Sequence, residues 1–241
     1  MASLQYDIRH RPDFAAVHIR LQPGQKLLAE PSALAWKDAH IALKSSARGG
    51  IMKSLGRLVS GESLFLNTYS AESQGGEVVL APGPMGDMEH YRLDGSVGLV
   101  LQAGAFVASE ETVLLKARWE GLRGLFGGEG LVLQHASGTG DIFFNTWGGI
   151  LGVELEDEWL VDTGCVVAFE DTLRYSVEPA PHKKGLGGFL KGMAFGGEGL
   201  VCRFSGRGKL WIQSRSAYPV ALFLHPFRSV KAKSQSGGSD E

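Results

Sequence analysis

Three glutamates, Glu62, Glu129 and Glu198, stand at matching places in three similar stretches: VSGESLF (59–65), FGGEGLV (126–132) and FGGEGLV again (195–201). Carboxylates related in this way could crowd one axis and share protons, an arrangement that splits their pKa values and keeps one of them protonated. Each glutamate is flanked by Gly or Ser in a turn-like stretch. There a Glu side chain caps backbone donors or pairs with a loop Arg or Lys, and a structural role is the expectation.

Other chemistries find less support. The seven histidines, His10, His18, His40, His90, His135, His182 and His225, contain no pair at the spacing of a metal-binding couple. HExxH and CxxC are absent, so no bound metal is expected. A phosphate cradle needs GxxxxGK[ST], or GxGxxG between a strand and a helix, and neither occurs in that setting. The SGTG stretch (137–140) and the SGRG stretch (205–208) each lie between apolar runs. They read as hairpin turns in which glycine supplies positive φ. No GxSxG elbow is present for a nucleophilic serine. The chain therefore reads as a protein without cofactor and not as an enzyme; an uncharacterised enzyme is the reading it would displace.

The elements that carry these stretches follow from the repeat. The three glutamates lie 67 and 69 residues apart, and the similarity extends on both sides. A Gly-rich apolar loop precedes each copy: GGIMKSLGRL (49–58), GLRGLF (121–126) and GLGGFLKGMAF (185–195). Farther upstream lie three similar strands, LLAEPSALAW, LVLQAGAFVA and WLVDTGCVVAF. Turn signals recur at short intervals and helical periodicity is not sustained, which reads as all-β. The expected architecture is three β-sandwich modules with pseudo-threefold symmetry, at 1–81, 82–150 and 151–230. A disordered tail at 231–241 completes it, and a last strand is expected over Val220 to Leu224.

The three loops share a second property, a mixture of apolar side chains and cations. The first has Met52 and Leu55 with Arg57, the second Leu122 and Leu125 with Arg123, and the third Phe189 and Met193 with Lys191. Threefold symmetry would bring all three to one end of a chain whose net charge is -2. An apolar surface with a cationic rim suits a second copy, another protein or an anionic membrane surface. The expected function is a non-catalytic binding or scaffold protein that self-associates as a homo-oligomer. Peripheral membrane binding is the alternative. RNA recognition would need basic residues interleaved with aromatics, of which Arg203-Phe204 and Lys209-Leu210-Trp211 are the sole examples, and nucleic acid is not expected.

Composition agrees, with 44% apolar and 21% charged residues. Cys165 and Cys202 sit in apolar strand patterns and read as small buried hydrophobes. MASLQYDIRHRP carries neither the apolar core of a secretion signal nor the Arg- and Ser-rich character of a transit peptide, and a cytoplasmic location is expected.

FGGEGLV, the SGxGxIF that follows it and the PGxLL-like strands upstream are similar to the altered-inheritance-of-mitochondria family. The resemblance spans about 5–227. It implies a triplicated β-sandwich like that of the tryptophan RNA-binding attenuation protein, and it implies no enzymatic activity.

Overall fold

The computed structural model of the chain describes residues 3–47, 65–119, 132–179 and 200–228. The contact-loop candidates Met52, Leu55, Arg57, Leu122, Arg123, Leu125, Phe189, Lys191 and Met193 lie outside the described residues. So do Glu62, Glu129, Glu198 and the tail 231–241.

The fold is all-β. The strands are β1 (Gln5–Arg9), β2 (Ala16–Leu21), β3 (Lys26–Ala29), β4 (Leu34–Lys37), β5 (Ala42–Ala47), β6 (Phe65–Ser70) and β7 (Gly76–Leu80). Next come β8 (Met88–Asp94), β9 (Leu99–Gln102), β10 (Phe106–Glu110), β11 (Val113–Trp119) and the long β12 (Val132–Asn145). The last are β13 (Ile150–Leu155), β14 (Trp159–Asp162), β15 (Val166–Glu170), β16 (Arg174–Pro179), β17 (Leu200–Ser205) and β18 (Gly208–Gln213). One scheme of antiparallel pairing occurs three times. It joins β2–β7–β4 and β3–β6–β5. It then joins β8–β12–β10 and β9–β12–β11, and finally β13–β18–β15 and β14–β17–β16.

Further pairs stitch these units together. β10 pairs with β3, and β15 pairs with β9. The result is two outer sheets, β1-β2-β7-β4 and β14-β17-β16, with the remaining strands in central layers. Three apolar cores fill the spaces between layers.

Strand sequences follow this layering. β2, AVHIRL, alternates: Val17, Ile19 and Leu21 are buried while Arg20 is exposed, as expected of a strand with one wet face. β3 and β9 read LLA and LVL without alternation because both their faces are covered. Leu27 and Ala29 enter the first core and Leu28 the second; Leu99 and Leu101 enter the second and Val100 the third.

Two expectations are corrected. The SGTG and SGRG stretches are not hairpin turns. β12 runs unbroken through Ser137–Gly140, its first half pairing with β9 and β11 and its second with β8 and β10. β17 and β18, on either side of Gly206, pair with different strands. These stretches are corners at which the chain passes from one sheet to another. Positive φ is still required there, at +96° for Gly138 and +103° for Gly206. The second correction is the strand over Val220 to Leu224, which is α1 (Ala217–Leu224) followed by a 3-10 turn. Pro219 lies in its first turn, where a missing N–H breaks no intrahelical bond.

Candidate functional site

The sheet corners carry a recurrent carboxylate. Asp38, Glu110 and Glu170 each stand at the end of the third strand of a unit. Each accepts from the backbone N–H that follows a corner glycine: Glu77 N to Asp38 at 2.8 Å, Asp141 N to Glu110 at 2.8 Å and Lys209 N to Glu170 at 2.9 Å. The glycines are Gly76, Gly140 and Gly208, and a Cβ on any of them would approach its carboxylate to about 3 Å. His40, Thr112 and Thr172, two residues beyond the acids, close the same space. These acids hold corners. Glu170 uses both oxygens, taking Lys209 N on one and the Tyr91 hydroxyl at 2.8 Å on the other. Burial and that bond together push the Tyr91 phenol above its usual value.

The densest titratable cluster surrounds buried Asp141. Its Oδ1 meets His90 Nε2 at 2.8 Å, and its Oδ2 accepts from the Leu4 N–H and Arg92 Nη1, both at 2.8 Å. Arg92 also donates to Glu110 at 2.9 Å. The His90 ring lies tilted against Tyr6, 4.5 Å away, and Phe143, 5.2 Å away. Burial alone would raise the Asp141 pKa. The bonds from His90, the Leu4 N–H and Arg92, with the Arg92 charge, outweigh it and hold the carboxyl at about 2. A permanently ionised carboxylate with both oxygens occupied is a poor general acid and a poor base. The cluster fastens the N-terminal β1 and its lead-in to the corner of β12.

Two further histidines are paired with acids. His18 bonds Glu77 at 3.1 Å and His135 bonds Asp171 at 3.0 Å. Among the described residues no group of three or more His, Cys, Asp or Glu is placed to hold a metal ion. Cys165 and Cys202 are free. Burial, with the Asp162 charge, pushes the Cys202 thiol up to about 12, so it is inert. A shallow concavity of 340 Å³ over Lys26, Glu110, Glu111 and Thr112 is crossed by the Lys26–Glu111 ion pair at 3.0 Å.

The surface holds more of interest than the interior. In α1 and the turn after it, no residue is buried. Leu222, Phe223, Leu224 and Phe227 are each more than half exposed. Arg215 and Arg228 bracket the segment. Sequence reasoning placed a strand here because the apolar run was visible and its lack of a partner strand was not.

The three predicted loops each connect the two strands of one hairpin. Residues 48–64 join β5 to β6, 120–131 join β11 to β12, and 180–199 join β16 to β17. Asp38, Glu110 and Glu170 escaped the sequence reading. Their signal is present as D-A-H-I, E-E-T-V and E-D-T-L, an acid followed by His or Thr and then an apolar residue. It is weaker than FGGEGLV because all four positions vary among the three copies.

Known proteins share this architecture. A model of the family described as mitochondrial biogenesis AIM24 matches residues 6–215. The uncharacterized protein M6_Spy0233 of Streptococcus pyogenes serotype M6 is 28% identical over 221 residues, which cover 88% of this chain and 86% of that one. The crystal structure of protein SPYM3_0169 from Streptococcus pyogenes matches with a TM-score of 0.77 at 25% identity, over 93% of this chain and 100% of that chain.

Proposed function

The chain belongs to the mitochondrial biogenesis AIM24 family, and from that premise we propose that it is a non-catalytic binding or scaffold protein. In this reading it is built as three repeated modules of the attenuation-protein type. Its contacts run through the Gly-rich loops and the C-terminal apolar segment. One observation carries the reading: Leu222, Phe223, Leu224 and Phe227 stand in solvent on a fold whose other large apolar side chains mostly fill three cores. Apolar groups gathered in solvent mark a surface that another molecule covers. The recurrence of one pairing scheme supports the three modules. It also supports equivalent stations for the loops, since each follows the fourth strand of its unit.

A second reading, contact with an anionic membrane surface, is favoured by Arg215 and Arg228 at the two ends of the apolar segment. No helix among the described residues is long and apolar enough to cross a membrane, so contact in this reading is peripheral.

Two paired variants test the proposal, Leu125→Ser with Phe189→Ser, and Phe223→Ser with Phe227→Ser. Self-association by light scattering and flotation with phosphatidylserine vesicles are read beside thermal melting. The expected outcome is loss of one binding signal with stability changed by no more than about 0.5 kcal/mol, as for surface positions. Vesicle binding should also weaken with salt. A large fall in melting temperature would show that these side chains close the cores. Unchanged stability together with unchanged binding would remove their proposed role.

A further inference from the structure

Two junctions of the chain are sealed by the same strand pairing, and among the described residues a third pair of the same edges stands open. At the first junction β10 lies against β3, with Ala108 opposite Ala29, Ser109 opposite Leu28 and Glu110 opposite Leu27. At the second, β15 lies against β9, with Ala168 opposite Leu101, Phe169 opposite Val100 and Glu170 opposite Leu99. β10 and β15 reach these places by the same local path. Each pairs on its other side with the strand that leaves a corner, and each shifts register there, between Phe106 and Ala108 or between Val166 and Ala168.

β4 has this construction too. It pairs with β7, shifts register between Leu34 and Trp36, and leads into Asp38, whose carboxylate takes the Glu77 N–H. β14 pairs with β17 as β3 pairs with β6 and β9 with β12. Yet among the described residues β4 and β14 each have one strand partner, and they end the two outer sheets.

Burial separates the sealed junctions from the open one. Leu27 and Leu28 are 0% and 4% exposed, and Leu99 and Val100 are 0% and 7% exposed. The residues that match them on β14, Trp159 and Leu160, are 38% and 42% exposed. On the opposite edge Ala108 and Ala168 are both at 0%, while the matching Trp36 is at 46%. The open junction therefore presents two tryptophans and a leucine where the closed ones are dry.

We propose that β4 of one copy pairs antiparallel with β14 of a second copy, head to tail. The sealed junctions set the register: Trp36 opposite Val161, Lys37 opposite Leu160 and Asp38 opposite Trp159. In one chain the two edges belong to different outer sheets that share no strand pair among the described residues, so the missing partner of each is supplied by a second copy. Lys37, a charge of the kind that discourages edge pairing, falls in this register within diagonal reach of Glu158. The two edges differ, so the interface is heterologous, and each added copy leaves one edge open until a ring closes. This inference stands on strand pairing and is independent of the loops.

Light scattering at rising concentration tests it first. The wild-type chain should exceed the mass of one chain, and Trp36→Lys or Leu160→Lys should weaken association at least about tenfold with an unchanged circular dichroism spectrum. Cross-linking tests the register without relying on those variants. In a Cys165→Ser, Cys202→Ala background, Lys37→Cys and Leu160→Cys are prepared separately. A disulfide-linked dimer should form when the two preparations are mixed and oxidised, and not in either alone. A single-chain mass at about 100 µM would overturn the proposal. So would association undiminished in both lysine variants, or a mixture that fails to cross-link. Association lost in the loop variants and kept in the edge variants would separate the scaffold reading from this one.

Discussion

At the scale of single residues, the interior is held by carboxylates whose surroundings differ in sign. Asp141 has a folded-state pKa of about 2 against an ordinary value of 3.8. Its stabilising contribution is therefore present above the ordinary value and is lost as pH falls toward 2. Asp141→Asn leaves His90 and Arg92 without their shared anion. With Arg92 43% exposed, losing these charge-assisted bonds costs about 1.5–3 kcal/mol, which for a chain of this size lowers the melting temperature by roughly 3–12 °C. Glu30 is the opposite case, because burial raises its carboxyl from 4.5 to about 7. Here the folded state holds a proton that the unfolded state has lost, so stability falls as pH rises from about 4.5 to about 7. Glu30→Gln should raise the melting temperature at pH 8 and leave it nearly unchanged at pH 4. A melting series across that range decides the point, and equal shifts at both ends would show that Glu30 is not titrating where stated.

At the scale of elements, the corner is the unit that makes this fold. At the second and third corners the strand leaves one sheet for the next where the backbone takes a positive φ that a Cβ opposes. Gly138, at φ +96°, would also place a Cβ 2.6 Å from the Thr112 carbonyl oxygen. Gly24, at φ +82°, would meet nothing within 4 Å. The pair separates conformational cost from collision. Gly24→Ala should cost about 1–2 kcal/mol from the backbone alone, and Gly138→Ala distinctly more, measured by chemical denaturation. Equal costs would mean that the corner yields without resistance. The signal for these corners was legible as Ser-Gly-x-Gly before an apolar run. Their nature was not, because a hairpin and a corner make the same local demand for positive φ and differ only in where the flanking strands find partners.

At the scale of the whole molecule, the arrangement is four sheet layers enclosing three cores, with pairings that close two junctions and leave matching edges exposed at the ends. This geometry explains why the same strand position is apolar and dry in β3 and β9 but carries exposed Trp159 and Leu160 in β14. Predictions at this scale concern association. The loop and C-terminal variants report on surfaces that face other molecules, and the edge variants report on the continuation of the sheet itself. Light scattering on both sets, run side by side, assigns any self-association to one or the other.

The sequence alone determined the β class, the three matching stretches, the family resemblance and the mixed apolar and cationic character of the loops. Each of these is a property of neighbouring letters: periodicity, turn residues and identity at a distance along the chain. Tertiary structure decided what those letters cannot carry. It turned SGTG from a hairpin into a corner, because strand partnership depends on residues far away in sequence. It made Val220 to Leu224 helical, because among the described residues that run has no strand beside it to take its backbone hydrogen bonds. It showed that Asp38, Glu110 and Glu170 do the same work, since their common role lies in one backbone N–H across a corner and not in the residues beside them.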